Sequence, residues 1–503
     1  MKNILKTGTI LSMLMLAGCS SMSEVSYDRP DMTMPASWGQ STVAVTDTVT
    51  RNDTGNDIGN DIDTDDTATR AEILAQTGWW KNFDDPQLNR LIARALETNN
   101  DLAAATIKVR QAQLTAGLAE DALYPDLSAG SDISTSRQFD SEDGRSNGDI
   151  TRSYGVDAGI SYELDLWGKL GHDYDAAKWE ALATLEDRES TALSLIGTTA
   201  TLYWQAVYYQ QRLDIAQASI DYAQQTLDLV DVQYASGSTS SLEVNEARSN
   251  LENQRAAYTQ IEQSLTETKN ALSILFNQPP SDIEITRKTL PAGMLPAIPE
   301  GLPSGLLERR PDVRAAELRL RESVEELNSV KTSLLPTISL TGTLGSSSDQ
   351  LHNLLSNPVG TLGASLALPF LNWNEGQLNI KVSEAEYEQA IAEFRQTTYQ
   401  AMADVQNALS ARTNYDRRAE RLEAALAASL NAEAIYETRF RSGAVAMQDW
   451  LDAQEDRRTT EETVLENQLD RITNLITLYQ ALGGDATPDA SQSGAATDQV
   501  SPT

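Results

Sequence analysis

Residues that commonly perform catalysis or bind metals are few in this chain. Its 503 residues include two histidines, His172 and His352, and one cysteine, Cys19. The histidines have no spacing that suits a structural or catalytic metal site. The sequence also has no glycine-rich phosphate loop and no nucleophile motif. These features predict a protein that is not an enzyme and that holds no metal or other dissociable cofactor.

One acidic stretch has carboxylates at the spacing of a calcium-binding loop. Asp61, Asp63, Asp65 and Glu72 occupy the first, third, fifth and twelfth positions of such a loop. The sixth position, where the turn needs a glycine, is Asp66. Apolar residues are scarce around it, so a flexible, solvated linker is favoured over calcium binding.

The cysteine follows a short leader at the N-terminus. The leader is first basic and then apolar, and residues 16–19 read LAGC. This segment resembles the lipobox of bacterial lipoproteins, whose signal is cut before the cysteine. The resemblance implies a covalent lipid on Cys19 and, because serines follow, sorting to the outer membrane. The alternative is an ordinary secretory signal with a chance cysteine.

Charge and hydropathy restrict the partners of the mature chain. The formal net charge is −34, which argues against nucleic-acid binding, since that requires a basic surface. Beyond the leader there is no run of about 18 apolar residues, so no membrane-spanning helix is expected. Any crossing of a bilayer would therefore require a closed β-barrel.

The chain from residue 79 onward consists of two similar halves. The segment YASG, which ends at Gly237, recurs 206 residues later as FRSG, which ends at Gly443. Prolines are frequent between the halves, which excludes a helix there. The predicted organisation is a signal peptide (1–18), an acylated flexible acidic segment (19–78), a first repeat (79–277), a Pro-rich linker (278–301), a second repeat (302–484) and a disordered tail (485–503).

Within each half the pattern predicts a helix, two strands and two long helices. The first-half strands, about 126–135 and 153–166, alternate apolar and polar residues, and the second half repeats this around Leu362, Ala364 and Leu366. Two-faced segments of about ten residues suit the strands of an outer-membrane barrel. Four strands of a small soluble sheet are the alternative.

The long helices are predicted from what the sequence lacks. Residues 168–235 and 374–441 contain no proline, and at about 1.5 Å per residue each could extend roughly 100 Å. An apolar seam from Leu213 to Tyr234, with spacings that alternate between three and four residues, predicts coiled-coil packing. Because small membrane barrels have about eight strands, four strands per chain require several copies, although their number is not fixed by this argument.

Three blocks carry a family resemblance. Residues 79–88 read WWKNFDDPQL, residues 306–317 read LLERRPDVRAAE and residues 478–484 read LYQALGG. They resemble the TolC-like outer membrane factor family, in the branch of lipoproteins that serve resistance-nodulation-division pumps. The resemblance implies a membrane protein of mixed α and β class. It would be a homotrimer with a 12-stranded transmembrane β-barrel, four strands per chain, continued by a long α-helical barrel in the periplasm.

The resemblance also implies a function and partners. The chain would be a passive duct in the bacterial outer membrane that exports drugs and toxic compounds. Its partners would be a periplasmic adaptor protein and an inner-membrane transporter. A similar duct for type I peptide or protein secretion is one alternative. A lipid-anchored coiled-coil scaffold without a pore is another.

The two recurring glycines predict helical hairpins. Gly237 and Gly443 are expected to end the long helices, because glycine accepts the left-handed conformation at a helix C-terminus. Ser240 and Glu243 have the spacing of a capping box that begins the returning helix. The family resemblance implies that the adaptor docks at these hairpin tips.

Three carboxylates beyond the tips are the candidate entrance residues. By resemblance, Glu243, Asp449 and Asp452 would line a periplasmic gate. Repeated by symmetry, their charges would repel one another, attract cations and make the gate sensitive to pH. The alternative is that they stabilise the helix dipole in the first turns. Val445 stands where some relatives have an arginine that ties the gate to its neighbour, so any such tie must be built differently here.

Overall fold

The structure is a computed structural model that describes residues 25–30, 78–137, 150–291 and 309–484. The described residues belong to two compact units. Unit 1 comprises Met1–Asp31, Ile107–Leu185 and Ala315–Gln396, and unit 2 comprises Met32–Thr106, Glu186–Arg314 and Thr397–Thr503. Several predicted features lie outside the described residues: the signal peptide, Cys19, the calcium-loop residues Asp61, Asp63, Asp65, Asp66 and Glu72, the linker from residue 292 onward, and the tail from residue 485.

Each half has the predicted order of elements. The first half contains α1 (Pro86–Thr98), α2 (Asn100–Asp121), β1 (Asp126–Ser136), β2 (Thr151–Leu164), α3 (Lys169–Ala235) and α4 (Ser241–Leu275). The second half contains α5 (Pro311–Thr332), β3 (Thr337–Ser348), β4 (Val359–Ala367), α6 (Trp373–Arg441) and α7 (Met447–Ala481). Short 3-10 helices cover Trp79–Phe83, Leu351–Asn353 and Pro369–Asn372.

Unit 1 contains one antiparallel sheet in the order β1-β2-β3-β4. Ala129 pairs with Ala158 and Ala158 pairs with Leu344, so apolar residues share one face. That face is open in the single chain, with Leu127 76% and Leu362 92% exposed. The predicted alternation is therefore confirmed, and the chain by itself leaves the apolar face uncovered.

The end of β2 differs slightly from the prediction. The strand ends at Leu164 rather than near residue 166. Here Asp165 accepts a hydrogen bond from the backbone N–H of Gly171 (2.8 Å), and Gly168 has a φ of +76°. These two features turn the chain into α3, because a side-chain acceptor and a left-handed residue both favour a helix start over a continued strand.

The long helices match their predicted limits closely. They are not membrane spans, since no helix among the described residues has a stretch long and apolar enough to cross a bilayer. Along the predicted seam of α3, Ala223, Leu227 and Val230 are buried. Tyr234, which ends the predicted seam, is half exposed, so the buried seam stops about one turn before the hairpin tip.

The core of unit 2 joins sequence blocks that lie far apart in the chain. Trp79 is buried and its ring stacks on Tyr479, with centroids 5.0 Å apart. Gly483 has a φ of +73°, and a Cβ there would lie 2.9 Å from the backbone nitrogen of Arg310. The opening, middle and closing blocks of the family resemblance therefore meet in one place.

Candidate functional site

The first hairpin tip has the predicted glycine stop. Gly237 has a φ of +74°. The N–H of Ser238 donates to the carbonyl of Gln233 (2.8 Å), and the N–H of Gly237 donates to that of Tyr234 (2.9 Å). This is the hydrogen-bond pattern that closes a helix through a left-handed residue.

The helix that returns from this tip begins with the predicted capping box. The Ser240 hydroxyl accepts from the N–H of Leu242 (3.1 Å), and a carboxylate oxygen of Glu243 accepts from the N–H of Ser240 (3.1 Å). The hydrogen bond from the Ser240 side chain lowers the pKa of Glu243. Glu243 is therefore ionised at neutral pH and stabilises the start of α4.

The second tip repeats the stop but changes the cap. Gly443 has a φ of +72°, and the N–H of Ala444 donates to the carbonyl of Arg439 (2.8 Å). Ala446 replaces the capping serine, so Asp449 alone caps α7 by accepting from the N–H of Ala446 (3.2 Å). One turn later, Asp452 accepts from the Gln448 amide (2.6 Å). Both aspartates are exposed.

The three candidate entrance residues thus lie where the sequence placed them, in the first turns of the returning helices. In this single chain each carboxylate bonds within its own turn, and both the capping role and the entrance role remain compatible with that placement. The assignment of Glu243, Asp449 and Asp452 to a gate stays a prediction. The same holds for adaptor docking at Gly237 and Gly443.

Behind the tips, the two hairpins share an apolar cluster. The seam from Leu213 to Tyr234 predicted its members on α3, but not the contribution of the second hairpin. Met447, at the start of α7, is buried among residues of the first hairpin. Trp450 is only 1% exposed, stacks on Phe440 at 5.1 Å and meets Tyr222 edge-on at 6.3 Å. The signal was the pair of large apolar side chains directly after the second tip. The remaining members of the cluster are Ala223, Leu227, Val230, Ala247 and Leu251, flanked by Ile220, Val244 and Leu451.

A polar network lies next to this cluster. The Arg457 guanidinium is 2.5 Å from Glu433 and 2.6 Å from Glu461. Burial and the nearby Glu433 carboxylate raise the pKa of Tyr222 to about 12, so its hydroxyl remains a hydrogen-bond donor. These four side chains also line a cleft of about 500 Å3. The network joins α3, α6 and α7 within one chain, and whether it replaces the tie that Val445 cannot make stays a prediction.

Two side chains of types that often serve metal or anion sites, His172 and Arg310, have acidic partners in the structure. His172 Nδ1 lies 2.7 Å from Glu325, and no group of three or more metal-ligating side chains occurs in the described ranges. Arg310 bonds both Asp312 (2.7 Å) and Asp404 (3.2 Å), so its single positive charge is shared by two carboxylates. Pro311 begins α5, as the sequence predicted.

Comparison with known proteins identifies the family. The sequence model of the outer membrane efflux protein family matches residues 91–278 and 302–484. The pyoverdine export outer membrane protein OpmQ of Pseudomonas putida is 32% identical over 423 residues, which cover 83% of this chain and 90% of OpmQ. The probable outer membrane lipoprotein SilC of Salmonella typhimurium is 28% identical over 489 residues, which cover 95% of this chain and 98% of SilC.

A solved structure agrees with this result. The crystal structure of CusC, from work on folding and transmembrane channel formation, superposes with a TM-score of 0.74 at 26% identity. It covers 92% of this chain and 99% of CusC. The chain belongs to the outer membrane efflux protein family. The predictions of family, fold class, outer-membrane location and export function are confirmed. The family consists of channel proteins rather than enzymes.

Proposed function

We propose that three copies of this chain form one passive duct through the outer membrane, and that the duct is the exit of a tripartite efflux system. The observation that carries the proposal is the open sheet of unit 1. Within the described residues, β1 and β4 each pair on one side only. In a bilayer, each unpaired backbone group at such an edge would cost several kcal/mol. Pairing β1 of one copy with β4 of the next removes both edges, and twelve strands suffice for a barrel.

The exposed apolar face supports the same assembly. It would face the acyl chains, while the polar residues that alternate with it would face water in the duct. A lipid on Cys19 would attach each copy to the same membrane. The helices of the three copies would continue the duct into the periplasm.

The hairpin tips are the proposed periplasmic end. A periplasmic adaptor would dock at the turns marked by Gly237 and Gly443 and connect the duct to an inner-membrane transporter. Glu243, Asp449 and Asp452 would form a carboxylate ring at the entrance. The network of Tyr222, Glu433, Arg457 and Glu461 would hold the two hairpins of one copy together.

The proposed cargo is small molecules. Relatives are named for the export of pyoverdine and for a toluene efflux pump. A duct that serves as a common exit filters little by itself. Selection of cargo would therefore belong mainly to the transporter.

Conductance in planar bilayers tests the proposal directly. The purified full-length protein should give discrete channels that prefer cations, because carboxylates at a narrow entrance attract them. The double variant Asp449→Asn with Asp452→Asn should lower the cation-to-anion permeability ratio by roughly two- to fivefold. Asp121→Asn, at the end of α2, is the matched charge control and should leave the ratio unchanged.

The possible outcomes separate the parts of the proposal. If the double variant forms channels with an unchanged cation-to-anion permeability ratio, Asp449 and Asp452 do not line the entrance, although the duct itself is still supported. An acylated protein that leaves bilayers ion-tight would instead favour a scaffold without a pore.

A further inference from the structure

The helices attached to the sheet form a row with two open sides. The Thr106 hydroxyl of α2 accepts from Arg188 of α3 (3.2 Å), and Arg319 of α5 lies 3.2 Å from Glu180 of α3. Gly376 of α6 packs so closely against a leucine just after α5 that a Cβ there would clash with it. The row is therefore α2–α3–α5–α6, the same order as the strands, and α2 and α6 are its ends.

On α2 the apolar residues form two stripes on opposite sides of the helix. Val109 belongs to the stripe that is buried within the chain. On the opposite side, Ile107, Leu114 and Leu118 are 62–72% exposed. Together with the exposed Gln111 they have spacings of four, three and four residues, which is the spacing of a coiled-coil seam. A helix that is apolar on two opposite faces normally packs between two neighbours, and the described residues cover only one of these faces.

The part of α6 next to the sheet has the same two-sided pattern. Ser383 is buried, whereas Leu378 is 54% and Val382 is 56% exposed on the opposite side. The exposed Ala385 and Gln389 continue this stripe, again with spacings of four, three and four residues. Both end helices of the row therefore present an uncovered stripe of coiled-coil type.

The charges that flank the two stripes have opposite signs. Lys108 and Arg110 lie on either side of the α2 stripe, and both are exposed. Glu386 and Glu388 lie on either side of the α6 stripe, and both are also exposed. In coiled coils these flanking positions hold the ion pairs that determine partner and orientation. The two stripes are thus complementary in charge.

We propose that α6 of one copy packs antiparallel along α2 of the next copy, in a coiled-coil contact that we call the subunit seam. This inference rests on the association of copies in the proposed function and adds the contact that determines how neighbouring copies align. Since α2 leads into β1 and β4 leads into α6, pairing of β1 with β4 between copies brings these two helices together in opposite directions. The seam would cover both exposed stripes.

One register of the subunit seam satisfies the stripes and the charges together. In that register the successive apolar layers are Leu118 on Leu378, Leu114 on Val382, Gln111 on Ala385 and Ile107 on Gln389. In an antiparallel pair, flanking residues on the same side of the seam face each other, so this register also places Lys108 beside Glu386 and Arg110 beside Glu388. A shift by seven residues in one direction would place Arg110 beside Arg395, and a shift in the other direction would place it beside Lys381. Both alternatives are repulsive, so the charges select the first register.

Disulfide cross-linking of the full-length protein in outer membranes tests the subunit seam. The pair Leu114→Cys with Val382→Cys should give covalently linked subunits on non-reducing gels. Within one copy, α3 and α5 separate the two cysteines by roughly 25 Å, so the bond can form only between copies. The matched control is Leu114→Cys with Gln389→Cys, which lies on the same stripe but about 10 Å out of register. This control should form at most roughly a tenth as much linked product.

Exchange of the flanking charges provides a second test that needs no cysteine. Arg110→Glu and Glu388→Arg each place like charges across the seam. Each should lower the fraction of trimer that survives warming in mild detergent by roughly twofold or more, and the two changes together should restore the wild-type fraction. Arg417→Glu, at an exposed site further along α6, controls for the change in net charge and should leave the fraction unchanged.

The results distinguish the seam from the assembly on which it rests. Linked product from the in-register pair alone, together with recovery in the combined charge exchange, would support the seam. A trimeric wild type in which both cysteine pairs link equally, or in which the combined exchange is no better than either single change, would overturn the seam and leave the proposed duct standing. A wild type that is monomeric in detergent would overturn both.

Discussion

At the residue scale, two carboxylates, Asp85 and Glu322, lie in environments that shift their pKa values in opposite directions. The pKa of Asp85, at the start of α1, is lowered although burial opposes this, because Tyr203 (2.7 Å) and Arg287 (3.2 Å) donate hydrogen bonds to it. Glu322 on α5 has the reverse environment. Burial first, and then the charges of Glu180 and Glu326, raise its pKa from 4.5 to about 8.

The raised pKa of Glu322 gives a pH dependence with a definite sign. The folded chain keeps a proton that the unfolded chain releases above about pH 4.5, so stability is lost as pH rises from there towards 8. The neighbours that face Glu322 are Glu180, Glu326 and Arg319, and only the arginine opposes this loss. Burial and the charges of Glu386, Asp173 and Glu180 also raise the pKa of Glu326.

We therefore expect Glu322→Gln to be more stable than the wild type at pH 8 and similar to it at pH 5. The gain at pH 8 should be about 1 kcal/mol, a value reduced for screening by solvent at this partly exposed group. Urea unfolding at both pH values measures it, with the exposed Glu262→Gln as control. A gain of the same size at both pH values would mean that the charge of Glu322 is not the cause.

Individual residues also mark the limit of what a sequence reveals. Gly237, Gly443, Ser240 and Glu243 could be placed from the sequence because their roles depend on neighbours within one turn. The burial of Met447 and Trp450 could not, because it depends on packing between hairpins that are about 200 residues apart in the chain.

At the element scale, periodicity and helix breakers predicted α3 and α6 to within a residue or two. These long elements are set by local rules: no proline, an apolar seam and a glycine stop. The end of β2 was less predictable. The hydrogen bond that the Asp165 carboxylate accepts from the backbone of Gly171, and the left-handed conformation of Gly168, end the strand although its alternating pattern continues to Leu166.

The hairpin tips offer a test with a matched control. A Cβ at Gly237 would have no atom within 4 Å, so Gly237→Ala adds no clash, only the strain of a left-handed alanine. We expect a loss of about 1 kcal/mol. A Cβ at Gly117, inside α2, is equally free of contacts, and its backbone has no positive φ. Gly117→Ala should therefore stabilise the protein by about 0.5–1 kcal/mol.

Urea unfolding of the two variants decides between conformational and other causes. Gly237→Ala should lower the free energy of unfolding and Gly117→Ala should raise it, although both replace a glycine with an alanine. If Gly237→Ala were neutral, the tip would not depend on the left-handed conformation, and the recurring glycine would need another explanation.

At the scale of the whole molecule, two repeats each contribute a strand pair and a helical hairpin, and the strand pairs join through β2 and β3 into one open sheet. The number of strands in the sequence and their two-faced pattern could establish that one chain has too few strands to close a membrane β-barrel. The number of copies came only from the family resemblance, because the sequence pattern of one chain does not determine how many subunits complete the barrel.

Cross-linking between β1 and β4 tests this closure. Two strands separate them in one chain, which places them roughly 14 Å apart, whereas a disulfide needs Cα atoms within about 7 Å. A bond between them can therefore form only between copies. The single native cysteine, Cys19, is proposed to be acylated, so introduced cysteines would be the free thiols.

The alternation of the strands predicts which pairs can bond. Ala129→Cys on β1 lies on the apolar face, as its register with Ala158 shows. A strand in register presents apolar residues to the same side, and a shift by one residue would invert the faces. Ala129→Cys should therefore bond to at least one cysteine from the apolar set of β4, and to none from the polar set. The apolar set is Leu362, Ala364 and Leu366, and the polar set is Thr361, Gly363 and Ser365.

Non-reducing gels of outer membranes provide the readout. If three copies share one wall, an oxidised apolar-set pair should give a covalent trimer, because each subunit has one β1 and one β4 and the links close into a ring. A ladder that stops at the dimer would argue for a two-fold contact instead. Bonds formed equally by both sets would mean that β1 and β4 do not pair as strands, and the proposed wall would then need a different closure.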